Sequence, residues 1–364
     1  MTQGMKNSVP VDAPRFSVGK YIKKWNKLWL VSRARKQRLQ QVIPNSRKLL
    51  IIPLHGLGDL AMTLPLLAAL RNNRPDLEID LLVSPRNAGL VADYPGLNRL
   101  IFAEINTKGK LADRQWRDLC GKGPWETVLY IGERAKTLVQ VRLQQLPAKE
   151  IWALPCETKG IHDTEINALL DRVVGNGKEP HYARRMASVM SAFGIKQCDP
   201  LDFKMHLDEN PKSFQYAGPV VLINPVGSQT GNTMGEEQIS ELVIEFLKNG
   251  WHIVAYEQCV RLLNKDLKAK ITSLSSETIA DAVGWLNAAD IVLTTDTGIG
   301  HLSCAAERPT VILRQNEQWR ANCDPLCGKP TVLYPEQSPG TLSQIPASVI
   351  VEALAAKLVD KSPV

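Results

Sequence analysis

No apolar run in this 364-residue chain approaches the ~20 residues a membrane-crossing helix needs; near the start the longest is Leu28-Trp29-Leu30-Val31. No apolar stretch follows the first basic residue, and no small-residue cleavage site appears, so no secretory leader is expected. The expected location is therefore cytoplasmic. Cysteine offers no framework either. Seven are scattered at 120, 156, 198, 259, 304, 323 and 327, an odd number without repeated paired spacing, which reads as reduced thiols. Cys323 and Cys327 could share a helix face, but no second pair or close histidine completes a tetrahedral metal site, and none is expected. What the chain does have is 44% hydrophobic and 22% charged residues, a soluble globular balance too long for one ordinary core.

Acidic residues are nearly missing from one end. Residues 1–48 hold twelve Lys and Arg against the single acid Asp12, so of the net charge of +7 this segment carries +11 and leaves −4 for the rest. Within it Val18, Tyr21, Ile22, Trp25, Leu28, Trp29 and Val31 recur at mostly helical spacing among Lys20, Lys23, Lys24, Lys27, Arg33, Arg35 and Lys36. A basic amphipathic helix with two tryptophans over residues 15–38 suits an anionic membrane surface. The competing reading packs the tryptophan face on the protein's own body. Nucleic acid is not expected as a partner, because the body is mildly acidic and shows no basic stripe or known binding motif.

Beyond the extension the pattern alternates β and α. Strands are expected at Lys48–Pro53, Ile79–Val83, Arg99–Phe102, Thr127–Ile131 and Glu150–Ala153, with helices over Arg134–Gln145, Thr164–Val174 and Tyr182–Phe193. The first helix is expected after a loop through Asp59, with Thr63 and Pro65 near its start. Gly194–Pro219 reads as a linker. The pattern then restarts with strands at Val220–Asn224, Trp251–Tyr256, Ile291–Thr294 and Thr310–Leu313, and helices at Glu236–Lys248, Thr278–Asn287, Gly298–Ala306 and Ala347–Leu358. This gives an extension at 1–47 and two Rossmann-like units at 48–205 and 206–364. Two segments carry the chemistry: Leu49-Leu50-Ile51-Ile52 leading to His55-Gly56-Leu57-Gly58-Asp59, and Ile291-Val292-Leu293 leading to Asp296-Thr297-Gly298-Ile299-Gly300-His301. Each reads as a buried strand running into a small-residue turn that opens a helix, the place where open α/β sheets bind ligands and where free backbone amides attract anions.

Two doubly wound halves across a cleft describe the GT-B architecture of nucleotide-sugar glycosyltransferases. Over roughly residues 48–335 the chain resembles glycosyltransferase family nine, the ADP-heptose:lipopolysaccharide heptosyltransferases. The resemblance rests on Leu49 to Leu70 with Gly58-Asp59 and Thr63-Leu64-Pro65, on Arg74 to Asp80, on Val221-Leu222-Ile223-Asn224-Pro225, and on Ala288-Ala289-Asp290 through Asp296-Thr297-Gly298 to His301-Leu302. It implies an inverting transferase in which Asp59 is the general base, with a helix cap as that residue's ordinary role. It further implies a donor diphosphate at Thr297 and Gly298; Asp296, too negative to bind phosphate, is expected to accept hydrogen bonds from donor-sugar hydroxyls, with a second helix cap as its ordinary role. His301 could donate to phosphate or orient the loop.

Two departures bear on the donor. The family commonly carries a Lys in the loop after Pro225, whereas Gly227 to Gly235 holds no basic residue; Ser228 and Thr230 can still donate hydrogen bonds. The strand from Thr310 usually runs into Phe-Gly-Pro-Thr, and here reads Leu313-Arg314-Gln315-Asn316, so that Arg314 is expected to restore the lost charge. Acceptor contacts are expected from the first half, at Gly56, Gly58, Arg86, Arg134 and Lys136, to an anionic lipopolysaccharide core. No Asp-x-Asp pair occurs, so no obligatory cation is expected; a nucleotide diphosphate sugar is the donor substrate. The enzyme would be peripheral on the inner face of the inner membrane. A catalytically silent nucleotide-sugar or glycolipid-binding scaffold, and a GT-B enzyme with another donor, are the alternatives.

Overall fold

The computed structural model describes residues 18–53, 56–103, 113–132, 137–155, 167–196, 201–207, 210–227 and 231–359, with side chains in the first segment from residue 25 onward. Two six-stranded sheets form the two domains. The first contains β1 (Lys48–Ile52), β2 (Glu78–Val83), β3 (Leu97–Phe102), β4 (Trp125–Tyr130), β5 (Ala148–Ala153) and β6 (Arg172–Val173), in the order 3-2-1-4-5-6. The second contains β7 (Val220–Asn224), β8 (His252–Tyr256), β9 (Thr272–Leu274), β10 (Ile291–Thr295), β11 (Thr310–Leu313) and β12 (Thr331–Leu333), in the order 12-11-10-7-8-9. Every adjacent pair is parallel. The strand order reverses between β1 and β4, and again between β7 and β10, which puts a ligand crevice beyond the carboxyl ends of those strands in each domain.

Local composition explains the elements. Central strands covered on both faces read as unbroken apolar runs, and Val220 to Asn224 are buried throughout. The helices are α1 (Val18–Leu39), α2 (Leu57–Asn73), α3 (Asp113–Cys120), α4 (Thr137–Leu143), α5 (Tyr182–Ala187), α6 (Glu236–Lys248), α7 (Ile279–Ala288), α8 (Gly298–Ala305) and α9 (Ala347–Val359), with shorter turns between. Helix α6 is amphipathic, burying Ile239, Leu242, Val243 and Phe246, with Glu236 and Glu237 in its first turn and Lys248 in its last, matching the helix dipole. In α7, Thr278 and Asp281 form a reciprocal capping box.

Helix α2 differs from both. All residues from Leu60 to Leu70 are buried, because the helix lies between the first sheet and the second domain. One apolar cluster accordingly runs through both domains, joining Leu64 and Leu67 to Leu286, Val292 and Leu302.

Several expectations need correction. Helix α2 starts at Leu57, six residues before Thr63, so Asp59 occupies its first turn rather than the tip of a loop, and Pro65 lies inside the helix. Thr63 is no cap; its hydroxyl donates to the Asp59 carbonyl at 3.0 Å. The helix expected through Val174 gives way to strand β6, whose Arg172 and Val173 pair with Trp152 and Ala153. The Tyr182–Phe193 helix changes to 3-10 geometry at Ser188. Cys323 ends a short helix and Cys327 lies beyond it, so the two do not share a helix face.

Helix α1 docks on the first domain, but not by its tryptophans. Val31 and Ala34 are buried, as is Arg38, whose guanidinium pairs with Asp171 and donates to Gln144 (3.1 Å) and to the carbonyls of Ala148 (2.9 Å) and Lys149 (2.7 Å). Arg35 reaches the same carboxylate at 3.1 Å. Trp25 and Trp29 point outward, 56% and 58% exposed, with the Arg33 guanidinium 5.3 Å from the Trp29 ring centre. None of the described helices is long and apolar enough to cross a membrane.

Candidate active site

Asp59 follows β1 at the reversal point of the first sheet, and Asp296 follows β10 at that of the second. The Asp59 carboxylate accepts the Gly56 amide at 2.9 Å, which satisfies one of the free donors at the start of α2. Burial pushes its pKa above the usual aspartate value, and the Gly56 hydrogen bond only partly opposes this. A carboxylate whose pKa is raised holds a proton more tightly than an ordinary aspartate does.

The two helix starts touch. A methyl built on Gly298 would lie 2.8 Å from Leu57 Cβ and 3.1 Å from the Gly58 amide nitrogen; one on Gly58 would lie 2.7 Å from His301 Cδ2. Only glycine at both positions allows α2 and α8 to approach this closely. The contact brings Asp59 and the amide-rich start of α8 to one interdomain cleft.

On the second-domain side, Asn224 at the end of β7 donates to the hydroxyls of Thr294 (3.0 Å) and Thr297 (2.9 Å), which lie 3.1 Å from each other. Cys259 donates to the side-chain Oδ1 of Asn224 at 3.3 Å. This network fixes Thr297, the N-cap of α8. Asn224 was expected only as part of a strand; its role needed the tertiary partner Thr297. The loop after Pro225 returns by a hydrogen bond from the Met234 amide to the Pro225 carbonyl at 2.9 Å, and Gln315 donates to the Gly231 carbonyl at 2.5 Å.

Arg314 does not serve as expected. Its side chain is 1% exposed and pairs with Asp296 at 2.9 Å and with Asp324, while also donating to the Cys323 carbonyl at 3.3 Å. Two carboxylates outweigh one guanidinium, so the cluster offers a diphosphate no spare positive charge. His301 supplies none either, since burial, then the charge of Arg314, pushes its pKa down to about 3. It is neutral at physiological pH and can offer an N–H. Among the described residues, the amides at the start of α8 are groups of the kind that attract anions.

Gly56 and exposed Arg86 sit on loops after β1 and β2 at the same edge of the first sheet. Arg134, Lys136, Ser228 and Thr230 lie outside the described residues. His181 and Asp324, which carried no signal in the sequence, meet across the domains: the ring Nε2–H donates to the Asp324 carbonyl at 2.6 Å, while Nδ1 accepts the Ala183 amide at 3.2 Å.

Two parallel doubly wound sheets, each with its strand-order reversal at the interdomain contact, give the chain the GT-B architecture. Residues 165–317 match the sequence model of glycosyltransferase family 9 (heptosyltransferase), which bears out the resemblance to that family. The fold is similar to that of ADP-heptose lps heptosyltransferase II of E. coli, at 20% identity over 86% of this chain and 99% of that one, with a TM-score of 0.66. It is similar as well to a family 9 glycosyl transferase of Veillonella parvula (14% identity, 88% and 100% covered, TM-score 0.68). E. coli heptosyltransferase WaaC with ADP compares at 16% identity, 85% and 99% covered, and a TM-score of 0.66. No curated protein matches the chain in sequence.

Proposed function

We propose that this protein is an inverting heptosyltransferase that moves the sugar of a nucleotide diphosphate sugar, ADP-heptose, onto a lipopolysaccharide core. The observation that carries the reading is the Gly58 to Gly298 contact, because it sets a proton acceptor, Asp59, beside a helix start suited to a departing diphosphate. The acceptor hydroxyl would lose its proton to Asp59 as it attacks the anomeric carbon. The diphosphate would leave from the opposite face toward the amides of Gly298 and Ile299, so the anomeric centre inverts. Asp296, held on one oxygen by Arg314, would accept hydrogen bonds from donor-sugar hydroxyls with its other oxygen.

The test is transfer from ADP-heptose to a purified truncated core, read by mass spectrometry, with Asp59→Ala as control. One added heptose mass, lost in the variant, supports the reading. A second reading, a nucleotide-sugar-binding scaffold without activity, is favoured by one feature, the neutralisation of Arg314 by Asp296 and Asp324 beside a loop without Lys or Arg. Donor-dependent thermal stabilisation without transfer would select it.

The same proposal places the enzyme at the cytoplasmic face of an anionic membrane. Trp25 and Trp29 are exposed on a helix that also carries Lys27, Arg33 and Lys36, and basic side chains near such a surface contribute about 1 kcal/mol each. Deleting residues 1–44 would also remove the buried contacts of Arg38, so the cleaner variant is Trp25→Ala with Trp29→Ala. Reduced flotation with anionic liposomes, at unchanged thermal stability, is the expected outcome; equal flotation would refute the membrane role.

A further inference from the structure

Arg314 is the most deeply buried charge near the cleft, and its two partners lie on different segments. Asp296 joins β10 to the start of α8, and Asp324 follows the short helix at 320–323. A guanidinium withdrawn from water needs both carboxylates to offset its desolvation, so the three groups hold one another in a fixed order. Arg314 occupies Oδ1 of Asp296 at 2.9 Å, and Asp296 remains 18% exposed. Tyr334 adds a longer hydrogen bond to the other Asp324 oxygen at 3.4 Å. The Asp324 carbonyl is meanwhile the acceptor for His181 of the first domain. A continuous series of polar contacts thus runs from the first domain through Asp324 and Arg314 to the carboxylate beside the donor helix.

We infer that Asp324 is a positioning residue of the donor site: with Arg314 it fixes the orientation of Asp296 toward the donor sugar, and through His181 it couples that orientation to closure of the two domains. The inference rests on the donor reading given above. Removing the Asp324 charge leaves Arg314 with Asp296 as its single acidic partner, which draws the Asp296 carboxylate onto the guanidinium and away from sugar hydroxyls. The diphosphate, held by backbone amides, is unaffected. Breaking the His181 contact leaves the cluster intact and loosens its tie to the first domain.

The experiment is calorimetric titration of the full chain with ADP and with ADP-heptose. Asp324→Asn should weaken ADP-heptose about tenfold and change ADP less than threefold, a split that general loss of structure would not produce. Arg314→Lys should show the same sugar-dependent loss, and covers the case in which Asp324→Asn does not fold. His181→Asn keeps a side chain able to cap α5 but too short to reach Asp324; it should leave the ADP-heptose-bound chain more open by small-angle scattering and lower kcat about tenfold with ADP affinity unchanged. Equal weakening of both ligands, or no weakening, in folded Asp324→Asn or Arg314→Lys overturns the positioning role. Unchanged scattering and kcat in His181→Asn overturns the coupling. Failure of the wild-type chain to bind either ligand refutes the donor reading itself, and the inference with it.

Discussion

Substituting Gly298 by alanine tests the contact on which the catalytic reading depends. The new methyl would lie 2.8 Å from Leu57 Cβ and 3.1 Å from the backbone nitrogen of Gly58, whereas carbon atoms rest at about 3.5–4.0 Å. Leu57 could turn its outer atoms aside, but its Cβ and the Gly58 nitrogen move only with α2. The helices must therefore separate by roughly 0.7–1 Å. Overpacking of this kind costs about 1–3 kcal/mol, while alanine's better helix propensity returns up to about 1 kcal/mol, so the net loss of stability lies between about 0 and 3 kcal/mol.

The catalytic effect should be larger. Asp59 follows Gly58 directly and would be carried back with α2, and a misplacement near 1 Å can cost about 10²-fold in rate. We expect kcat to fall roughly 10- to 100-fold, measured as release of the nucleoside diphosphate, with a modest drop in the urea midpoint. Gly235→Ala is the control, since nothing lies within 4 Å of a methyl at that position. A Gly298→Ala enzyme with kcat within twofold of wild type would refute the argument that the glycine contact sets the catalytic geometry.

Two further outcomes follow from buried charge. Because the folded-state pKa of Asp59 is raised, the folded chain holds a proton that the unfolded chain has released between the two values. The charged form therefore destabilises the fold above the raised value, and this penalty fades as pH falls through it. Asp59→Asn should accordingly unfold at higher urea than wild type at neutral pH, with the difference closing on acidification, and transfer should fall about 10²–10⁴-fold. In wild type the rate should drop as pH falls through a value above the ordinary carboxylate range. Arg38→Ala leaves Asp171 without its most buried partner and should cost about 3 kcal/mol in urea denaturation, with faster native-state proteolysis of α1.

How far the sequence discloses this protein depends on whether a feature is local. The central strands are legible because burial on both faces requires continuous apolar runs, as in Leu49 to Ile52 and Ile291 to Leu293. The edge strands β6, β9 and β12 are not, since Arg172, Val173, Thr272 and Ser273 are exposed and carry no such run. Thr63 and Pro65 resemble a helix start, yet the close approach of α8 needs Gly58 within a helix, and packing from Leu60 to Leu70 sustains α2 across the proline. Asp59 and Asp296 can be picked out because each lies in a small-residue segment that follows a buried apolar strand. His181 and Asp324 are 143 residues apart, and nothing near either announces the other. Arg314 shows the limit most clearly: its position after β11 argues for a cation beside the donor, and its two part-buried carboxylate partners reverse that reading. A charge in a cleft acts on a ligand only after its partners are counted, and those partners belong to the fold rather than to the neighbouring sequence.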